Sequence, residues 1–407
     1  MKKSLFAIAA VTAFAGAAQA QSSVTVYGIL DVGFTGADNK AVPTGAGRPQ
    51  IKSTSAQFGQ SAETTSRLGF KGSEDLGGGL SGIFTAEFQL YPQSGTLSSD
   101  TQSTAGTGLV NRQTFVGLKK NGLGQAAIGT QYTPVFQSVA ASDPGQTNNV
   151  VGSIIYPAKA NGNDISVPSF TVRQGNSITF NTVSFAGFSA KGMYVQNNKD
   201  STQVGTDNQY TAAQVVTNAT AGTPIGGTYN TNGWGIGADY TWKKLYVVAA
   251  FQNFKNQSNV SNVTLTTANT AIDNGINTSS NESYAAATYD FGIAKAYVNW
   301  VSRKVTSVLN SNNYGKRAGQ QIGVRSYITP TIEAWGTVGT GRYTAYGAGE
   351  PTANMNAWQL GSNYYLSKRT NLYAIYGKAQ TSNIVSVAGV NGSAAASQYA
   401  IGVRHTF

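Results

Sequence analysis

The chain contains no cysteine, which excludes disulfides, thiolate metal sites and a cysteine nucleophile. Histidine is almost missing too: His405, third from the end, is the only one. Hydrolase triads, most zinc sites and imidazole acid–base schemes need a histidine inside the fold. An enzyme is therefore not expected, with carboxylate-only chemistry left open, and no cofactor or metal site is expected. Charge is scarce: Asp, Glu, Lys and Arg make up 11% of residues, where a soluble domain carries about a quarter. After the first 20 residues there is no apolar run of about 18, so helical membrane spans are not expected either.

What the chain has instead is glycine and tyrosine, 48 and 21 residues respectively. Residues 1–20 form a unit of their own. Lys2 and Lys3 make a basic start, Leu5 to Phe14 an apolar stretch, and Ala18-Gln19-Ala20 a small-x-small cleavage site. That pattern predicts a secretory signal peptide, leaving a mature chain from Gln21 to Phe407. Without the two signal lysines the balance is 26 basic against 17 acidic residues, a net +9. The basic residues are scattered singly rather than clustered on one element, which argues against nucleic acid as a partner. They fit a cationic interior surface that attracts anions.

From Ser23 onward the dominant period is two. Val24, Val26, Leu30, Val32 and Phe34 share one face of a first segment, with Thr25 and Asp31 on the other. Trp234, Ile236, Ala238, Tyr240 and Trp242 alternate with Gly233, Gly235, Gly237, Asp239 and Thr241. Such alternation predicts strands with one apolar and one polar face. Short connections (Asp75–Gly79, Lys120–Gly124, near Gly187, Lys243-Lys244, Gly292, Thr329-Pro330, Ser367–Arg369) take turns with long ones (roughly 37–62, 92–110, 133–172, 198–232, 255–281, 304–317, 342–355 and 381–397). Sorting of loops by parity predicts an all-β, 16-stranded antiparallel transmembrane barrel, with short periplasmic turns and long extracellular loops. Aromatics near strand ends, among them Tyr27, Phe84, Trp242, Trp300 and Tyr376, are placed as interfacial girdles.

Two stretches stand out. Tyr399, Ile401, Val403, His405 and Phe407 alternate up to the last residue, although a free chain end is ordinarily frayed and polar. Residues 133–172 show neither helical nor strand period over 40 positions, too long for an idle loop. They are expected to fold into the barrel and narrow it.

Several stretches resemble the general diffusion porins of Gram-negative outer membranes, in the β-proteobacterial and neisserial branch. They are SSVTVYGILDVGF at 22–34, SRLGFKGSEDLGGGLSGIFTAEF at 66–88, NRQTFVGLKKNGLGQAAIGTQYTP at 111–134 and GVRHTF at the end. The resemblance implies a homotrimer in contact with outer-membrane lipid and lipopolysaccharide, whose third long loop, here 133–172, folds inward. It also implies that Tyr399, Ile401, Val403, His405 and Phe407 are read by the barrel-assembly machinery.

In that family arginines on the wall face acids on the inward loop. The matching positions are Arg67, Arg112 and Arg173. Parity alone puts Arg67 and Lys71 opposite Leu68 and Phe70, whereas for Arg112 the neighbours Phe115 and Val116 point to opposite faces. Asp143, Asp164 and Lys159 on the loop, with Glu87 on the wall, complete the expected constriction; Asp143 is the first candidate for its narrowest point. The Pro-Glu-Phe sequence common at the loop tip in the enterobacterial relatives is missing. Rings of arginine favour anions. The expected function is passive diffusion of small hydrophilic solutes and ions with anion preference. Tyr156, Phe136 and Phe170 keep open a substrate-specific channel for a phosphate, organic acid or sugar. A secreted β-rich adhesin is a further alternative.

Overall fold

The computed structural model describes residues 23–41, 51–93, 109–157, 169–201, 227–258, 277–308, 311–345, 352–382, 384–386, 389–391 and 393–407. The signal peptide at 1–20, together with Lys159 and Asp164, lies outside them. In chain order the strands are β1 (Ser23–Ala41), β2 (Ile51–Gln60), β3 (Arg67–Gly77), β4 (Leu80–Gln89), β5 (Val110–Lys120), β6 (Gly124–Tyr132), β7 (Arg173–Thr182), β8 (Phe188–Ser201), β9 (Gly227–Trp242), β10 (Leu245–Ser258), β11 (Thr278–Asp290), β12 (Lys295–Ser307), β13 (Tyr314–Tyr327), β14 (Ile332–Ala345), β15 (Thr352–Tyr365), β16 (Thr370–Thr381), the small pair β17 (Ile384–Ser386) and β18 (Gly389–Asn391), and β19 (Ala394–Thr406). One helix, α1 (Pro134–Ser142), follows β6.

All pairings in the main sheet are antiparallel and join consecutive staves, and β1 pairs with β19 to close the ring. Strands β2 and β3 are two halves of one stave: β1 pairs with β2 from Val32 upward and with β3 from Ile29 downward. The wall therefore has sixteen staves. All seven short connections fall where the sequence puts them. At Lys243, with φ 53°, the two-residue hairpin uses the left-handed backbone that suits the strand twist. Most of the long connections, those expected at 37–62 and 198–232 among them, are narrower than expected, because hairpins continue past the apolar band; those at 92–110 and 133–172 are not. Strand β1 reaches Ala41 and β9 spans 16 residues.

Burial is inverted relative to a soluble domain. Ile322 is 59% exposed on the outside, while its neighbour Gln321, pointing in, is 2% exposed. Val26, Trp234, Ile236, Val298, Trp300 and Ile401 are likewise exposed, and Gln252, Glu282, Asn299 and Gln359 are buried. Apolar outside and polar inside is the partition a barrel suspended in lipid requires. No helix among the described residues is long and apolar enough to cross a membrane; the crossing is made by strands.

Candidate functional site

The stave formed by β2 and β3 is interrupted at Ser61–Ser66, and Asp31 on β1 holds the interruption in place. The Ser61 and Thr64 amides donate to the Asp31 carbonyl and carboxylate at 2.8 and 2.6 Å, and the Tyr373 hydroxyl donates to the same carboxylate at 2.6 Å. Six residues thus leave the ladder as a shelf on the inner face.

Onto this frame folds the segment expected to be a featureless loop. Its first part is helix α1, an element the aperiodic pattern does not announce. The signal is local and short: Thr133 caps the helix by accepting from the Phe136 amide at 3.2 Å, and Pro134 fills the first turn, where no N–H is needed. Val135 and Val139, one turn apart, are fully buried against Val248, Ala250, Tyr284 and Val301. After α1 the chain runs as a strap along the inner wall. The Val135 amide donates to Gln252 on β10 (3.1 Å), and Asn299 on β12 donates to the Ser142 carbonyl (2.9 Å). Arg325 on β13 donates to the Pro144 carbonyl (3.0 Å), while Asn148 and Gln359 on β15 exchange hydrogen bonds at 2.9 Å. At the tip, the Val151 amide donates to Gln398 on β19, and Asn149 donates to the Ser61 carbonyl on the shelf. The strap then returns: the Ile154 amide donates to Gln321, and Thr171 donates twice to Glu282.

Asp143 is expected to be an acid facing the arginines, and the structure gives it a different task. Its carboxylate is buried, accepting from the Thr147 amide at 2.7 Å and from Gln321 of β13 at 3.3 Å. Burial pushes its pKa up. It pins the strap to the wall beneath it.

The arginines lie on the arc of β3 to β7. Arg67 on β3 and Arg112 on β5 both reach Glu87 on β4, at 3.8 and 2.8 Å. Tyr27 donates to the other Glu87 oxygen, and Arg112 donates to the Tyr132 hydroxyl at 2.9 Å. Arg173, paired across the ladder with Tyr132, sets its guanidinium 5.0 Å from the centre of that ring. The ambiguous parity of Arg112 has a cause. The register between β4 and β5 slips there, Glu87 facing Gln113 and Phe88 facing Asn111. Position 112 is thus the extra residue of a β-bulge, turned inward although it shares parity with exposed Val116 and Leu118.

A family model for the Gram-negative porins matches residues 7–384. The chain is a Gram-negative porin. Over its whole length the porin is 27% identical, across 421 residues, to outer membrane porin protein 32 of Delftia acidovorans, covering 100% of both chains. With an outer membrane porin protein of Bordetella pertussis it shares 33% over 197 residues, so it spans only 46% of that relative's length. Among solved structures it is similar in fold to an anion-selective porin from Comamonas acidovorans, with TM-score 0.63 and 22% identity over 95% of this chain and 100% of that one. The porin is accordingly a β-barrel channel of the outer membrane.

At its seam the porin joins its two ends. Gly28 and the terminal Phe407 exchange backbone hydrogen bonds at 3.1 Å in both directions, and Thr370 meets the His405 ring at 2.9 Å. Tyr399, Ile401, His405 and Phe407 are exposed on the outer face, with Val403 partly covered between them.

Sequence reasoning also passes over the residues that hold the strap. Arg317, Gln321 and Arg325 recur every fourth position of β13, with Gly319 and Gly323 between them on the same inward face. The glycines leave room for Ile154 and Pro144 of the strap, and the long polar side chains bond to its backbone. That inward row could have been read from the sequence as a docking strip. A second group is the ring cluster at the root of the strap. Tyr132 and Phe136 lie 4.5 Å apart, and Phe136, Tyr156 and Phe170 lie within 6.2 to 6.4 Å of one another.

Proposed function

We propose that this porin is a passive diffusion pathway for small hydrophilic solutes and ions, narrowed by the strap and biased towards anions by Arg67, Arg112 and Arg173. One observation carries the sign of that bias. Arg67 and Arg112 share a single carboxylate, Glu87, while the strap's described acid, Asp143, is buried against the opposite wall. A cationic surface lining a narrow aqueous path raises the local anion concentration and lowers that of cations. Transport of this kind makes and breaks no bonds, so no catalytic group or cofactor is assigned.

The reading extends to assembly. Residues 1–20 act as a cleaved export signal, the barrel forms a homotrimer bordered by lipid and lipopolysaccharide, and the strand ending at Phe407 engages the assembly machinery. The lipid-like outer face and the apolar seam support this. Migration as a heat-modifiable oligomer on gels tests the trimer, and amino-terminal sequencing of the mature protein tests cleavage after Ala20.

Reversal potentials across a salt gradient in planar bilayers test the selectivity. An anion-to-cation permeability ratio above one is expected, and a cation preference would overturn the reading. Replacing Arg67 and Arg112 with Gln shifts the ratio towards cations; an unchanged ratio would remove them from the permeation path.

A further inference from the structure

Among the described residues the inward-facing guanidiniums are, with one exception, committed. Arg67 donates to the Thr65 carbonyl and pairs with Glu87; Arg112 is shared between Glu87 and Tyr132. Arg317 holds Ile154 and Ser169, and Arg325 holds Glu333 and Pro144. Arg404 reaches Glu63 and Asn371, and Arg303 reaches Glu282. Arg173 differs. Among the described residues no carboxylate and no hydrogen-bond acceptor meets any of its three nitrogens, whereas Arg317, whose Nε is likewise buried without a partner, bonds through its other two nitrogens and Arg325 bonds through its Nε. What the guanidinium does meet is the face of Tyr132. The Nε is closed off, but the side chain as a whole is partly exposed, so its terminal nitrogens are the donors that an acceptor from outside the chain can reach.

What surrounds Arg173 narrows the choice of acceptor. Tyr132 opens the ring cluster, in which Phe136 and Tyr156 remain partly exposed and Phe170 lies buried behind them. The rings come from both ends of the strap, Tyr132 and Phe136 from its start, Tyr156 and Phe170 from its return. The guanidinium offers two parallel N–H groups, the geometry that suits a carboxylate. The partly exposed outer sides of these rings suit another flat ring in an offset or edge-on arrangement, with centroids about 4.5 to 7 Å apart.

We propose that Arg173, Tyr132, Phe136 and Tyr156 form a subsite for planar aromatic carboxylates along the permeation path. The inference rests on the reading of the barrel as an anion-preferring channel and names the solute class that channel favours. Arg173 takes the carboxylate, and the rings take the aromatic body. A saturated acid of equal size and charge keeps the first contact and loses the second. Inorganic phosphate has no ring to place, and a neutral sugar has neither an aromatic ring nor a carboxylate. Binding at such a site must stay weak, since a solute held too long would block its own passage.

Single-channel recording in potassium chloride tests this, with benzoate, cyclohexanecarboxylate and acetate added in turn. Benzoate is expected to reduce the chloride current saturably, with half-block at a concentration about fivefold below that for cyclohexanecarboxylate, as one ring–ring contact supplies. Phe136→Leu closes the gap between the two acids, and Arg173→Gln weakens both. Tyr156→Leu serves as a second ring variant should Phe136→Leu lose the heat-modifiable folded form. Equal block by the two acids in the parent channel overturns the proposal, as does a gap that survives both ring variants. Reversal potentials from the same channels separate the outcomes. Anion selectivity without benzoate preference removes the subsite alone, whereas cation selectivity removes the underlying function.

Discussion

Gly377 on β16 and the Val151 carbonyl at the tip of the strap stand so close that a Cβ added at 377 would overlap the carbonyl oxygen. The strap lies flat against the wall there because that position carries no side chain. Gly377→Ala must lift the tip inward, at an overpacking cost of about 1–3 kcal/mol. Single-channel conductance is expected to fall and current noise to rise, while the barrel still shows a heat-modifiable shift on gels. An unchanged conductance would show that the tip does not border the path.

Arg325 and Glu333 form a buried pair at 2.7 Å, and the same arginine holds the Pro144 carbonyl. Removing one partner of a buried pair leaves an uncompensated charge and costs about 3–5 kcal/mol. Arg325→Ala is expected to lower the temperature at which the folded form disappears from gels. Adding Glu333→Gln recovers part of that loss, because the orphaned carboxylate is then gone. If the double variant is no more stable than the single one, the two side chains are uncoupled.

Glu87 sits between Arg67 and Arg112 and accepts from Tyr27 as well. Glu87→Gln leaves the arginines in place and deletes the negative charge they share. The anion-to-cation ratio is expected to rise, opposite in direction to the arginine replacements. Bilayer reversal potentials read the sign directly, and a fall would mean that Glu87 acts by positioning the arginines rather than by its charge.

Asp143 carries a pH dependence of predictable sign. Burial raises its pKa in the folded state above that of the unfolded chain. The folded state therefore binds the proton more tightly, and stability contributed through this group is present in acid and lost as pH rises through the raised value. Asp143→Asn removes the ionisation while keeping an acceptor for the Thr147 amide. Compared with the parent, the variant should gain relative thermal stability as pH increases. A stability difference that is flat across pH would show that Asp143 does not titrate in this range.

Strand pairing and the site are legible in the sequence to different depths, for physical reasons. The alternation of Trp234, Ile236 and Trp242 with glycine and polar residues declares the staves, since one face has to meet lipid. The tight turns declare themselves too, Lys243-Lys244 among them. Arg67 is readable because its strand keeps strict parity. Arg112 is not, since it is itself the extra residue of a bulge that reverses its face, and no local pattern announces that slip against β4. Helix α1 escapes notice because nine residues give barely two turns of periodicity, and only Thr133-Pro134 marks its start. Asp143 is misplaced because composition shows that a loop has an acid, not which wall it is pressed against. The shelf at Ser61–Ser66 depends on Asp31, some 30 residues earlier, a partnership made where β1 pairs with both β2 and β3 and announced by no local pattern.

The strap's hydrogen bonds to β10 through β13, β15, β19 and the shelf give this barrel a double thickness on one side only. Among the described residues, the strap makes no such double layer along the arc from β3 to β7. On the proposed reading, water and solute travel off the barrel's geometric axis, along the thin side and past the arginines. A substitution of equal size on the doubled side should then be far less audible in the current than one on the thin side.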